Sequence, residues 1–205
     1  MERFLMTQSL LSAWAYQFDC FEGCEDDAQA AFLRTLNREP GEVTEAMMNG
    51  RTFEDRVYRA AEGKTIRSDA KWREGALAIA EIIRGAQIQV KVSREIVVDG
   101  MTFLLYGILD ALKAGVIYDV KFLSKSLSSA DVYGKYLQSA QHPAYFYLVP
   151  EAREFQYLAS DGDEVYIETY QRDQTRGINE IIHDFIVSIT SQGLLELYKE
   201  KWLAL

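Results

Sequence analysis

A change of hydrophobic period in the middle of the chain constrains the fold most. There, apolar residues alternate with polar ones: Ile88, Val90, Val92, Ile96 and Val98. This period of two is typical of a half-buried strand, and Asp99-Gly100, which follows, is a strong hairpin signal. An apolar strand then covers 101–109, Lys113-Ala114-Gly115 forms the next turn, and 116–122 is a third strand. The sequence therefore predicts a three-stranded meander.

Helical periodicity dominates on both sides of this meander. Four helices are predicted before it, over residues 7–18, 28–36, 44–61 and 72–83. After it we expect a helix over 131–148, a hairpin of strands 154–159 and 164–169, and helices over 175–190 and 194–203. No repeat, low-complexity segment or linker interrupts the chain, so we expect one domain over residues 1–205. Its predicted class is α/β (α+β), with one central sheet flanked by helices.

Composition and charge narrow the functional classes. No apolar run approaches the roughly 20 residues that a bilayer span needs, and the start does not resemble a signal peptide. We therefore expect a cytoplasmic protein with no membrane partner, in which Cys20 and Cys24 could pair but need not. The net charge of −9 argues against a wholly basic surface for nucleic acid. Residues 51–73 nevertheless hold seven bases and four acids, which is compatible with a polyanion site or with a solvated helix face.

Two turns around the third strand carry the residues that suggest chemistry. Asp110 ends an apolar strand, and Asp119-Val120-Lys121 lies within the next one. Side chains alternate along a strand, so Asp119 and Lys121 share a face and the hairpin can bring Asp110 close to them. Two carboxylates and a backbone carbonyl suit a hard cation such as Mg²⁺, beside which Lys121 could orient water or stabilise a phosphate. The alternative is a set of polar residues on a solvated hairpin face.

A further carboxylate, Glu54, lies on the apolar face of the predicted helix 44–61. A carboxylate in that position is costly unless it is paired or binds a metal. Glu54 is therefore a candidate site residue. The alternatives are a partly exposed boundary position or pairing with Arg51 or Tyr58.

Two residues of the predicted helix 131–148, Gln141 and Tyr145, lie on its apolar stripe with Tyr133 and Leu137. A glutamine there is expected to point into the sheet or towards a site. The alternative is a boundary glutamine beside a core tyrosine.

In this order, Gly107-x-x-Asp110, Asp119-x-Lys121 and Gln141-x-x-x-Tyr145 resemble the PD-(D/E)xK nuclease superfamily. Within it, the chain is most similar to RecB-type nuclease domains and phage exonucleases of the lambda type. The segment 9–14 also resembles the first helix of that branch, and 50–54 resembles the helix with its first acidic motif. The similarity in motif order covers about residues 7 to 170.

The resemblance implies a restriction-endonuclease-like αβββαβ core with a mixed central sheet. It implies Mg²⁺ or Mn²⁺ held by two aspartates and a main-chain oxygen, with a glutamate as a further ligand: Asp110, Asp119, the Val120 carbonyl and Glu54. Lys121 would position the attacking water. The residues expected to contact DNA or support the site are Gln141, Tyr145, Arg51 and Ser124.

The chain departs from the family pattern in three places. Leu109 stands where the family name has Pro, and Glu54 stands in the motif where RecB-type domains often carry His. An iron–sulfur cluster needs four cysteines, so none is expected with Cys20 and Cys24 alone.

The predicted function is metal-dependent DNA hydrolysis, by an exonuclease of phage recombination or DNA repair. A homo-oligomer or a phage recombination protein is the expected partner. The alternative is a catalytically silent module of the same fold that binds DNA or a partner protein. With only His142 and His183, a multi-histidine metal site is excluded. No Gly-x-x-x-x-Gly-Lys-Ser/Thr loop occurs, so no nucleotide cofactor is expected.

Overall fold

The computed structural model describes residues 2–124, 127 and 133–204. Six strands form one sheet: β1 (Arg3–Thr7), β2 (Gln87–Val98), β3 (Met101–Lys113), β4 (Val116–Phe122), β5 (Glu154–Ser160) and β6 (Val165–Gln171). The described residues also form seven α-helices: α1 (Gln8–Tyr16), α2 (Glu25–Leu36), α3 (Glu45–Ala61), α4 (Arg73–Ile82), α5 (Gln141–Leu148), α6 (Ile178–Ser191) and α7 (Leu195–Lys201). None of these helices has the length and apolar character needed to cross a bilayer.

The sheet is mixed, which confirms the predicted α/β class. Its order is β1-β3-β4-β5-β6, with β2 paired to β3. The meander β2-β3-β4 and the hairpin β5-β6 are antiparallel, whereas β1 is parallel to β3 and β4 is parallel to β5. Because α5 connects the parallel strands β4 and β5, the chain contains the expected αβββαβ order, with both α3 and α4 ahead of its first strand, β2.

Helices cover both faces of the sheet. On one face, α3 and α4 enclose a small core with Phe53, Ile79, Val120 and Leu158. On the other face, α1, α5 and α6 pack over a larger core that includes Tyr157. Burial on both faces explains why the central strands are apolar along most of their length.

The first strand, β1, was not predicted from the sequence. It has only five residues, of which Phe4 and Met6 are buried, and it leads directly into α1. Thr7 ends the strand and also caps the helix, since its side chain accepts a hydrogen bond from the Leu10 N–H at 3.3 Å. Five residues are too few to show a clear alternation, and no turn follows the strand. Its partner is β3, which is distant in sequence, so no hairpin pattern marks the pairing either.

The prediction of a helix over 131–148 is wrong for most of its first half. Residues 133–138 form turns, and α5 begins at Gln141. Positions 131 and 132 lie outside the described residues. Gly134 has a φ of 72°, which a helix does not accommodate. Pro143 lies in the first turn of α5, where its missing N–H breaks no helical hydrogen bond.

Candidate active site

The site lies where β3 and β4 separate. The strands pair over 111–113 and 116–118 and then diverge, so Asp110 and Asp119 are the first residues beyond the ladder. An Asp110 carboxylate oxygen, Oδ2, accepts the Val120 N–H at 2.8 Å. In a strand, the N–H and C=O of one residue point the same way. The Val120 carbonyl therefore also faces the gap between the diverging strands. We call this gap, lined by Asp110, Asp119 and Val120, the fork.

Side-chain alternation in β3 is interrupted at Asp110. Leu109 packs in the larger core and Ala111 in the smaller core on the opposite face, although residues two apart in a regular strand share a face. Across from Asp110, Gln89 has a φ of 54° and donates its amide to Asp110 Oδ1 at 3.2 Å. The break in alternation and the unusual Gln89 backbone together direct the Asp110 side chain towards the fork. The sequence contains no signal for this distortion, because Gln89 occupies an ordinary polar position of an alternating strand.

Asp119 and Lys121 share a face, as predicted. The Asp119 side chain is buried, and its Oδ2 lies 2.7 Å from the Lys121 ammonium. That oxygen makes no well-aligned hydrogen bond in the described residues, whereas Oδ1 accepts one from the Gln141 amide. Asp119 is thus held by an ion pair on one side and an amide on the other.

The electrostatics of the fork follow from burial and from like charges. Burial, with the nearby Asp119 charge, raises the pKa of the Asp110 carboxyl to about 7, against the effect of the Val120 N–H. Burial alone would lower the pKa of Lys121, but the Asp119 and Asp110 carboxylates raise it above its usual range. The two carboxylates therefore favour the ammonium form of Lys121, which suits a role in orienting water better than a role as a free base.

Glu54 joins this group from α3. Burial raises the pKa of Glu54. The Lys121 charge opposes this rise and the Asp119 charge adds to it, so the Glu54 carboxylate lies near the Asp119–Lys121 ion pair. Within the described chain Glu54 forms no ion pair, and Arg51 is exposed to solvent. Tyr58 follows one helical turn after Glu54. Burial and the charges of Asp110 and Glu54 raise its pKa far above the usual range. Tyr58 therefore belongs to the site, although the sequence suggested it only as a partner of Glu54.

Gln141 and Tyr145 support the site from α5. Both side chains are buried, and the Tyr145 hydroxyl donates to the Ile108 carbonyl at 2.9 Å. The Tyr145 ring lies against Gly107, where an added Cβ would stand 2.3 Å from the Tyr145 Cε1 atom. The glycine of the motif is therefore required by the close approach of this ring. Because they are buried, Gln141 and Tyr145 hold the fork rather than offer a surface to DNA.

The predicted DNA contacts Arg51 and Ser124 are both exposed. Arg51 lies one turn before Glu54 in α3, and Ser124 follows β4 closely. Most other bases of the 51–73 stretch are compensated locally. Ion pairs join neighbouring residues at Arg59–Asp55, Lys64–Glu62, Arg67–Asp69 and Arg73–Glu74. Much of this stretch is therefore a solvated, internally neutralised surface.

Side chains alone do not supply a complete set of metal ligands at the fork. Among residues 2–124, 127 and 133–204, no three His, Cys, Asp or Glu side chains form a metal-binding group. A cation at the fork would need the Val120 carbonyl in addition to Asp110 and Asp119. In the same residues, Cys20 and Cys24 are free thiols.

Comparison with known proteins gives similarity in structure only. No family model and no curated protein matches the chain. The crystal structure of SSO0001 matches with a TM-score of 0.54 and 13% identity, covering 92% of this chain and 78% of that one. The crystal structure of LHK-Exo in complex with dAMP matches with a TM-score of 0.47 and 12% identity, covering 96% and 92%. The likeness to SSO0001 shows a shared fold.

Proposed function

We propose that the chain is a divalent-metal-dependent DNA nuclease that hydrolyses phosphodiester bonds. The convergence of Asp110, Asp119 and Lys121 at one fork carries this proposal. Three charged groups are held there by partly or fully buried contacts, and the pKa of Asp110 is raised. Ionisable groups perturbed in this way cluster at functional sites more often than on ordinary surfaces.

The residues of the fork fit Mg²⁺ or Mn²⁺. Asp110, Asp119 and the Val120 carbonyl would hold the ion. Glu54 forms no three-carboxylate group with them in the described residues, so it would become a further ligand only after its side chain moves closer. The buried Asp119 Oδ2 lacks a well-aligned hydrogen bond, and a cation would relieve the repulsion between the carboxylates. When bound, such an ion polarises a phosphoryl oxygen and lowers the pKa of a water molecule.

The protein's own groups orient the reaction. The Lys121 ammonium is fixed by Asp119 at 2.7 Å, so it would orient the attacking water and offset charge that develops on the phosphate. Gln141 restrains the other Asp119 oxygen, and Tyr145 fixes the β3 backbone beside the fork. Arg51 and Ser124 are exposed and would contact the DNA backbone.

The finer parts of the proposal come from the resemblance to RecB-type and lambda-type nucleases. They are exonuclease action, DNA as substrate, a cytoplasmic role in phage recombination or repair, and a homo-oligomer or recombination protein as partner. A catalytically silent DNA-binding module is the competing function.

The test uses purified protein with end-labelled linear DNA and closed circular DNA, with Mg²⁺ or Mn²⁺ and with excess EDTA. We expect metal-dependent cleavage of the linear form and none after Asp110→Asn or Asp119→Asn. Lys121→Ala should slow single-turnover cleavage by about 10²–10⁴-fold. Lys199→Ala, which removes an amine from an ion pair on α7, is the matched control and should cleave normally.

Three outcomes would change the assignment. Cleavage that survives EDTA would exclude the metal-dependent reaction. No cleavage of DNA or RNA in any form would favour the silent module. If Lys121→Ala cleaves as fast as the parent protein, Lys121 has no part in the reaction.

A further inference from the structure

A second concave feature lies outside the fork. A cavity of about 480 Å³ opens between the end of α1, residues 135–140, the first turn of α5 and residues 174–181. Its size is in the range of ligand and side-chain pockets, about 300–1,000 Å³. Aromatic rings form much of its wall: Trp14, Tyr16, Phe18, His142 and Tyr170.

Large apolar side chains at the rim of this cavity are left in solvent. Phe18 is 69% exposed and Leu137 is 62% exposed, and Tyr16 is also exposed. All three line the cavity. Scattered exposed apolar residues are ordinary, but several around one concave feature mark an interaction surface.

The segment that continues from the lining residues Phe18 and Asp19 is rich in acids. Residues 17–27 contain five acids and no Lys or Arg: Asp19, Glu22, Glu25, Asp26 and Asp27. None of the five forms an ion pair within the described chain. Among the lining residues, Arg176 is already paired with Glu180 and Asp184, which leaves Lys135 as the other cation. This field disfavours a polyanion and favours a basic ligand.

We propose that this cavity docks a protein segment that carries an aromatic or long aliphatic anchor flanked by basic residues. The anchor fills the aromatic cavity beside Phe18 and Leu137. The flanking bases lie against the acidic segment 17–27. An apolar anchor in a pocket with a charged surround is the usual arrangement of a binding hot spot.

The docking surface is distinct from the fork but adjoins it through α5. His142 lines the cavity, and the preceding residue, Gln141, donates to Asp119. His142 Nδ1 also lies 3.1 Å from the Tyr157 hydroxyl, and Tyr157 is the β5 partner of Asp119. The proposal does not depend on nuclease activity, since its evidence is the cavity, the exposed rim and the charge.

The test is selection of random linear peptides displayed on phage against the full chain, followed by fluorescence anisotropy of the enriched peptides. We expect enriched sequences to combine an aromatic or aliphatic residue with neighbouring Lys or Arg. Their binding should weaken when salt is raised from about 0.05 M to about 0.5 M, because the charges become screened.

Phe18→Ser should weaken peptide binding by about tenfold or more, as expected for a hot-spot contact. Phe21→Ser is the matched control, because Phe21 is 79% exposed and does not line the cavity. Both side chains are exposed, so circular dichroism should show both variants folded. Enrichment of acidic peptides, or of none that depend on Phe18, would overturn the proposal. Phe18-dependent binding of single-stranded oligothymidylate would instead assign the surface to nucleic acid.

Discussion

Replacing Asp110 by Asn in the metal-free protein should stabilise the fold at neutral and higher pH. Burial and the Asp119 charge raise the pKa of Asp110 to about 7, from its usual value near 3.8. The ionised form is therefore disfavoured in the folded state. An asparagine keeps an oxygen to accept the Val120 N–H at this position, while the repelling charge disappears.

The size of the effect follows from the pKa. One pKa unit corresponds to about 1.4 kcal/mol. The raised pKa therefore sets an upper bound of about 4 kcal/mol on the loss of folding free energy that ionised Asp110 causes above pH 7. The charged carboxylate accepts the Val120 N–H more strongly than an amide does, which reduces the expected gain to about 1–3 kcal/mol. Because the folded pKa is raised, the contribution of Asp110 to stability is present below about pH 4. It is lost as pH rises through about 7.

The measurement is urea unfolding of the parent and Asp110→Asn in excess EDTA at several pH values. The free-energy difference between them should be small near pH 4 and grow in favour of the variant up to about pH 8. Taking the difference cancels the titration of groups that both proteins share. A variant that is less stable at every pH, or a difference that does not vary with pH, would refute the proposed electrostatics of the fork.

Two other perturbations test the surroundings of the site. Gly107→Ala should destabilise the protein by about 1–3 kcal/mol in urea, because its Cβ would overlap the buried Tyr145 ring. Gly50→Ala is its control, because a Cβ at Gly50 in α3 meets open space; this change should stabilise the protein by about 0.5–1 kcal/mol. Equal effects of the two changes would contradict the packing of Gly107 against Tyr145. Burial lowers the pKa of His142 to about 4, so its contribution to stability is present above about pH 6.5 and is lost as pH falls towards 4. The stability difference between the parent and His142→Phe should shrink over that interval, and a constant difference would show that His142 does not titrate in this way.

Local periodicity was enough to predict the parts of the fold that neighbouring residues determine. Alternating apolar residues and the Asp99-Gly100 turn predicted β2 and β3 as a hairpin, and the structure confirms the pairing. The same period placed Asp119 and Lys121 on one face, because alternation is a property of a single strand. The helix predicted ahead of Pro143 was wrong because its apolar stripe was not a buried face. Two residues of that stripe, Tyr133 and Leu137, lie in turns and are exposed.

The fork itself was decided by contacts between residues distant in sequence. The five-residue β1 pairs with β3 across almost 100 positions, which leaves 107–110 between β1 and β4. Gln89 and the break in alternation turn Asp110 inward, and Tyr145 requires the glycine at 107. Strand periodicity was enough to assign the charged residues to their strands and to put Asp119 and Lys121 on one face. Their approach to Glu54, Tyr58 and Gln141 depends on the packing of separate elements, because burial and charge proximity arise only when those elements meet.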